Sequence, residues 1–421
     1  MAKSMIFFSM HYPFHFTDIY LDEEINYLAN NFDKVIIISS NTHSTAQRPV
    51  PKNATLHRFN AFAPSSKYKI ILNVFNPFFW KEISLLKKKY QYKINLTLIK
   101  ELLLNLDRIN KIQTYLSKIW NEYELDQHEV LIYNYWFLES ASACAFFKKT
   151  TNKKFKLISR AHSQEIYFFR NYYGYQPYKY LTFNICDHLY FISENGLNYF
   201  STAHKLSTIE QNKLSINRIG VDCNNQFIPS REDNKLKIIS IAWLHKLKRI
   251  ELIVDAIAQI NEVEIEWIHL GSSIDKPYTN MLMQHIEKKL NTKKNISYKF
   301  FGETDKEKLK EVFQQKQFDL IINVSETEGI PVSMMEAASF SVPLFGTNVG
   351  GVAEIIDDQK NGFLLDSNPT SNDIASIILN YHAKSVSQKN EFRKNAYDTW
   401  NNKYNVLKNR VELYENILKL N

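Results

Sequence analysis

The sequence predicts an α/β protein of two Rossmann-like, doubly wound domains. Three observations carry that expectation. Short apolar runs of strand length alternate with amphipathic helical stretches along the whole 421-residue chain. The alternation breaks once, at the polar stretch 224–234 around Pro229, and then restarts, as it would on either side of a linker. The chain is also long enough for two cores, and its 44% hydrophobic and 23% charged residues are those of an ordinary globular protein.

In the first half, residues 4–9 and 34–39 read as buried strands around a helical pattern at 21–30. Residues 130–133, 155–159 and 187–192 are further strands, with an alanine-rich helix near 140–148. A β-α-β succession implies a parallel sheet covered by helices. Residues 1–10, with one lysine and a short apolar run, read as a first strand. A signal peptide needs a longer apolar core and a small-residue cleavage site. No stretch reaches the roughly 18 apolar residues of a spanning helix. Cys144, Cys186 and Cys223 stand apart, without a CxxC pair or zinc-ligand spacing, which points to a reducing compartment. The expectation is a cytoplasmic chain, peripheral to the inner leaflet if it meets the membrane.

The net charge of +8 is concentrated. Between Lys67 and Lys118 eleven Lys/Arg face three acids, an excess as large as that of the whole chain. Phe75, Phe78, Phe79, Trp80, Tyr90 and Tyr92 lie in the same stretch. Basic residues beside exposed aromatics suit an anionic membrane surface. The alternative is a solvated helical face with its aromatics in the core. No nucleic-acid motif accompanies the charge, so nucleic acid is not the expected partner.

Beyond the linker, strands are expected at 237–242, 265–270, 296–301, 319–324 and 342–345. Helices are expected at 250–260, 278–289, 306–315 and 331–340, after Gly351, and in the final segment through Trp400 and Tyr414. Ligands of open α/β sheets bind beyond the carboxyl ends of the strands, so site residues are sought just after strands. Six of only ten glycines fall between Gly302 and Gly362, where the backbone has to turn or approach a ligand. Gly346 and Gly362 read equally well as turns or helix ends.

The central constellation runs from Asn323 to Glu336, NVSETEGIPVSMME. A buried strand enters a polar loop; Gly329 and Ile330 follow; Pro331 suits the first turn of a helix. The free N–H groups near Val332 and Ser333, with the helix dipole, offer a seat for a diphosphate. Glu328 and Glu336 bracket that seat. A carboxylate beside a diphosphate needs another partner, and sugar hydroxyls provide it. Glu336 suits the ribose diol and Glu328 the transferred sugar. Gly350 and Gly351 follow the next strand and permit another close backbone approach or a structural turn.

These residues resemble the retaining GT-B glycosyltransferases of family GT4. Ser325 through Ala337 fits the pattern S-x-x-E-G-x-P-x-x-x-x-E-A, and Gly350–Glu354 fits G-G-x-x-E. The family's G-R-L-x-x-x-K-G loop corresponds to residues 242–249. Lys248 matches the lysine, Trp243 stands where the arginine usually is, and Arg249 replaces the glycine. Arg249 or Lys246 is left to supply the missing charge. In the first half, the loop from His11 to Asp18, followed by Glu24, resembles the family's glycine-bearing loop, with His15 at the glycine. Arg160-Ala-His162-Ser-Gln-Glu165 resembles the Arg-Ala-His-x-x-Asp motif of some polysaccharide-forming members.

The resemblance implies an N-terminal acceptor domain at 1–225, a nucleotide-sugar domain at 226–392, and a helical segment at 393–421 crossing back to the first domain. The two domains are expected to face a cleft. It implies Glu328, His162 and Lys248 as catalytic residues. Glu336, Gly329, Ile330, Val332, Ser333, Arg249, Gly350 and Gly351 fall on the donor. His15, Arg160 and Asp18 fall on the acceptor side. It implies front-face transfer from a UDP- or GDP-sugar to a glycan, lipid-linked and destined for capsule, O-antigen or exopolysaccharide, without metal or cofactor. The chain has no Asp-x-Asp, G-x-G-x-x-G, Walker A or H-E-x-x-H motif. Two other readings remain open on the same architecture: an epimerase or soluble-acceptor synthase, and a silent nucleotide-sugar-binding partner subunit, which the absent arginine at Trp243 favours.

Overall fold

The computed structural model describes residues 1–14, 21–41, 44, 47–222 and 226–420. His15 and Asp18 therefore lie outside the described residues, as do Cys223 and the first two residues of the expected linker. The chain divides into two compact units, Met1–Arg218 with Arg410–Asn421, and Ile219–Asn409.

Among the described residues the first unit holds seven parallel strands: β1 (Ala2–Ser9), β2 (Lys34–Ser39), β3 (Ala54–Arg58), β4 (His128–Asn134), β5 (Lys156–Ala161), β6 (His188–Phe191) and β7 (Leu214–Ile216), in the order β3-β2-β1-β4-β5-β6-β7. Side chains of a strand alternate between faces, and a sheet covered on both sides needs apolar residues at every position. β1 shows this directly. Met5 and Phe7 enter a cluster with Leu21, Ile25, Leu413 and Ile417, while Ile6 and Phe8 enter another with Leu106, Ile109 and Phe146.

The largest element the strand-and-helix reading did not register is the 27-residue helix Leu96–Glu122. Asn95 caps it, accepting from the Leu98 N–H at 2.8 Å. Its buried residues Leu98, Leu102, Leu106, Ile109, Ile112, Leu116 and Ile119 keep the three-and-four spacing of one apolar face. The polar remainder of this helix mixes four basic residues with three acids, and most of the basic excess precedes it, at Lys67, Lys69, Lys81, Lys87, Lys88, Lys89 and Lys93.

The second unit holds β8 (Leu236–Ile241), β9 (Ile265–Leu270), β10 (Ile296–Phe300), β11 (Leu320–Asn323), β12 (Leu344–Thr347) and β13 (Gly362–Leu365), all parallel, ordered β10-β9-β8-β11-β12-β13. Gly346 and Gly362 sit inside strands, not in turns. A Cβ at Gly346 would meet Met334 Cε at 2.6 Å, and one at Gly362 would meet the Leu344 carbonyl oxygen at 1.7 Å. Both glycines let neighbours close on the sheet.

The division between units falls before the expected boundary at 225/226 and after the one at 392/393. The Val221 N–H donates to the Tyr404 carbonyl at 2.9 Å, and Trp400 Nε1 donates to the Val221 carbonyl at 3.1 Å. Residues 219–222 and the π-helical turn Trp400–Tyr404 are thus tied together in the second unit. From Arg410 onward the helix Val406–Leu418 belongs to the first unit, where Arg410 pairs with Glu23 at 2.8 Å. No helix among the described residues is long and apolar enough to cross a membrane.

Candidate functional site

In the second sheet the strand order reverses direction between β8 and β11, and the loops leaving these two strands carry the polar residues. Such a switch point opens a crevice beyond the carboxyl ends of the strands.

The loop after β8 is tied to the loop after β11 at three points. Main chain meets main chain where the Glu326 N–H donates to the Leu247 carbonyl at 2.9 Å. Lys248 Nζ meets Glu328 Oε1 at 2.7 Å, both side chains being mostly buried. The third point is Arg249, whose backbone sits in the left-handed region at φ 49°. That conformation is natural for the glycine of the resembling motif and costs a side-chain-bearing residue on the order of 1 kcal/mol. The guanidinium offsets the strain. Nε donates to the Val324 carbonyl at 2.6 Å, Nη2 to the Ser325 and Ser367 carbonyls at 3.1 and 3.0 Å, and Nη1 to Asn368 Oδ1 at 3.0 Å.

This corrects the expectation that Arg249 supplies charge to a diphosphate. It is 7% exposed and holds main-chain oxygens at the end of β11. Lys246, exposed in the short turn Lys246–Lys248, and Lys248 are the cations left in this loop. Trp243 is more than half exposed.

Glu328 Oε1 collects three donors: Lys248 Nζ, Ser325 Oγ at 2.7 Å and Asn323 Nδ2 at 3.1 Å. Asn323 Oδ1 in turn accepts from Ser325 N and Oγ, at 3.0 and 2.6 Å. Asn323 and Ser325 were inside the quoted motif but had no role assigned; their place directly after a strand was the available signal.

The helix that follows is Val332–Ser339. Pro331 caps it from outside, not from its first turn as expected, with its carbonyl accepting from Met334 N at 3.1 Å. The opening N–H groups of Val332 and Ser333 have no intrahelical acceptor, as at any helix start. Glu336 is half-exposed in the second turn.

Gly350 and Gly351 approach the protein's own loop. A Cβ at Gly350, where φ is +54°, would lie 1.9 Å from the Glu328 carbonyl oxygen, and one at Gly351 would lie 2.5 Å from that of Gly329. The Gly351 N–H donates to the Gly329 carbonyl at 2.7 Å. The glycine pair therefore shapes the segment Glu328–Ile330 from behind. A hollow of about 410 Å³ in the same unit lies elsewhere, between residues 353–361 and 395–403, and contains none of these groups.

In the first sheet the order reverses between β1 and β4. Trp136 follows β4 and stacks on His162, which follows β5, at 3.9 Å between ring centroids. Glu165 orients the histidine by accepting from its N–H at 2.9 Å, with Nδ1 at 3.3 Å. Burial pushes the Glu165 carboxyl up, but the bonds from His162 outweigh it and hold it below its ordinary value. His162 Nε2 and Trp136 Nε1 are buried and have no hydrogen-bond partner among the described residues. Trp136 was not singled out from the sequence. Beside it lies a small apolar hollow of about 50 Å³, lined by Phe8, Met10, Phe62, Trp136 and Leu138, with the Arg108–Glu139 pair at 2.9 Å.

Arg160 does not reach an acceptor. It is 1% exposed, paired with Glu24 at 2.8 Å and bonded to Asn217. Burial works against its charge, but Glu24 outweighs that and keeps its proton affinity above the ordinary value. A buried guanidinium persists only with such partners, so Arg160 is a positioning residue of the interior.

The family model described as Glycosyl transferases group 1 matches residues 223–399. N-acetyl-alpha-D-glucosaminyl L-malate synthase of Bacillus anthracis is 30% identical over 135 residues, 32% of this chain and 33% of that protein. The putative colanic acid biosynthesis glycosyltransferase WcaL of Escherichia coli is 26% identical over 163 residues, 37% of this chain and 39% of that protein. The chain thus matches between a third and two fifths of the length of these relatives. Among solved structures, Anabaena HepE in complex with UDP and glucose superposes with a TM-score of 0.62 at 15% identity, covering 99% of each chain.

Proposed function

We propose that this chain, whose residues 223–399 match the glycosyl transferases group 1 model and whose two parallel sheets are those of a GT-B protein, transfers a sugar from a nucleotide-diphosphate donor to a glycan. The observation that carries this reading is the Glu328 carboxylate. It is fixed by Lys248, Asn323 and Ser325 one turn of loop before the free N–H groups of the Val332 helix. Preorganised donors and a helix start suit a pyrophosphate whose negative charge grows as the glycosidic bond breaks.

In the proposed reaction the bond from the anomeric carbon to the diphosphate breaks. An acceptor hydroxyl bonds that carbon from the same face, and its proton passes to the departing diphosphate. Lys248 and Lys246 stabilise the leaving charge. Glu328 turns its second oxygen to the hydroxyls of the transferred sugar, and Glu336 holds the ribose. In the first unit, His162 Nε2 takes a sugar hydroxyl. The HepE complex with UDP and glucose favours a UDP-sugar. The likeness to WcaL, a putative colanic acid biosynthesis glycosyltransferase, favours a polysaccharide glycan as acceptor, and we propose that this glycan is lipid-linked. No metal or cofactor is assigned a role.

Glu328→Ala and Lys248→Ala are the test. Each should reduce sugar transfer by about a hundredfold or more, the scale of losing one preorganised charge partner. A UDP-sugar should still raise the melting temperature of both variants. Unchanged turnover in both would refute the assignment. Donor binding without turnover by the wild type, against every lipid-linked glycan extract, would establish the silent-subunit reading instead.

A further inference from the structure

We infer that residues 62–100 of the first unit form a docking surface for an anionic lipid bilayer. The structure separates the aromatics of this stretch into two sets. Phe78 and Phe79 are buried, Phe78 stacking on Phe146 at 3.7 Å, and Tyr90 and Tyr92 are half-buried. Phe75, Trp80 and Leu96 stay 78%, 57% and 84% exposed, with Tyr68, Ile71 and Leu72 exposed beside them. The helix Lys67–Leu72 has no buried residue at all. A third of the exposed large apolar residues of the described chain, seven of twenty-one, fall within residues 62–96. Exposed apolar side chains concentrated in this way mark an interaction surface.

The second observation is the charge. In the helix Pro77–Lys88 the buried residues Phe78, Phe79, Glu82, Ile83 and Leu86 occupy one face. Trp80, Lys81, Lys87 and Lys88 are exposed on the other. Trp80 Nε1 donates to the Val74 carbonyl at 2.8 Å, which sets the indole against the turn that carries Phe75. Lys67, Lys69 and Lys100 are exposed as well.

Glu82, the one acid within residues 62–100, and the next two along the chain, Glu101 and Asp107, do not balance this charge outside. Glu82 is fully buried, Asp107 pairs with Lys111 at 2.8 Å, and Glu101 lies 3.9 Å from Arg108. Among the described residues none of Lys67, Lys69, Lys87, Lys88 and Lys100 has an ion-pair partner. Apolar side chains that enter the acyl boundary, ringed by lysines at headgroup level, are the chemistry of an interfacial anchor on anionic lipid. A protein partner would have to match the same density of positive charge.

Docking of this kind does not depend on the transfer reaction, and one experiment separates the two. The full chain is sedimented with vesicles of phosphatidylcholine alone and of equimolar phosphatidylcholine and phosphatidylglycerol. The expected result is binding to the mixed vesicles only, weakened by salt. Phe75→Ser with Leu96→Ser, and separately Lys87→Glu with Lys88→Glu, should each lower vesicle affinity about tenfold or more. The melting-temperature response to a UDP-sugar should remain in both. Equal sedimentation with both vesicle types, or unchanged affinity in both variants, overturns the inference and leaves the transfer reading standing. So does self-association of the wild type in vesicle-free buffer that both variants abolish, which assigns the patch to a second copy of the chain.

Discussion

The two sheets share the central order 3-2-1-4 yet equip their switch points in opposite ways. At β8/β11 the polar side chains are already bound to one another. Glu328 is held by three donors, and the guanidinium of Arg249 is spent on four oxygens. At β1/β4 the floor is aromatic, and Trp136 Nε1 and His162 Nε2 are left without partners among the described residues. The strand order decides where a ligand can sit. Whether that place is a rigid cradle or a surface still awaiting hydrogen bonds depends on side chains, so the same topology carries two differently equipped sets of loops.

Cutting the knit in the second unit should be the most damaging change. Arg249→Met leaves the Val324, Ser325 and Ser367 carbonyls without their donor and is expected to cost about 3–5 kcal/mol in urea unfolding. A loss below about 1 kcal/mol would mean that these oxygens find water, and that the two switch points are equally loose. Arg249→Gly should cost less than Arg249→Met, because it relaxes the left-handed backbone while losing the same bonds.

A smaller effect should follow Gly350→Ala. The added methyl collides with the Glu328 carbonyl oxygen at a positive φ, so about 1–3 kcal/mol of stability is expected to go. Transfer should fall further than stability does, because the displaced segment carries the carboxylate. If both fall in step, the glycine pair supports the fold alone.

The smallest effect distinguishes the units by pH. Burial pushes the Glu82 carboxyl up to about 7, against the hydrogen bonds of the Tyr178 N–H and the Tyr175 hydroxyl and the charge of Lys179. The folded first unit therefore binds this proton more tightly than the unfolded chain. The stabilisation is fully present below the ordinary carboxylate value and is lost as pH rises through about 7. Burial lowers His269 in the second unit to about 4, so its contribution has the other sign: present above the ordinary histidine value and lost as pH falls toward 4. Hydrogen exchange resolved by peptide should show protection of the first-unit core declining between pH 5 and 8, and Glu82→Gln should flatten that decline. An unaltered profile in Glu82→Gln would place the titration elsewhere.

Much of the loop and helix start after β11 could be read before any coordinates because it is local. Glu328, Gly329, Pro331 and the helix start lie within one continuous stretch, and the glycine count alone pointed there. The strands of both sheets were legible for the same reason, since burial on both faces writes itself as an apolar run. Arg249 was misread because its acceptors are main-chain oxygens 75 and more residues away, and a carbonyl leaves no mark in a sequence. Arg160 was misread likewise, its partner Glu24 lying 136 residues off. The pairing of Trp136 with His162 joins the ends of two strands that only the sheet makes neighbours.

The basic aromatic stretch shows both sides of the division. Its composition was plain from the chain alone, including the excess of eleven basic over three acidic residues. Which aromatic rings turn inward depended on a distant partner, as Phe146 is for Phe78, and on the one helical face that Phe79 shares with it. The sequence by itself determined what is near along the chain: periodicity, turn chemistry and the residues of one loop. The tertiary structure decided everything that depends on contacts between distant segments. Those contacts settle which charges are spent, which rings stay in water and which buried nitrogens lack a partner, because burial and hydrogen bonding are properties of a surrounding that no single segment carries.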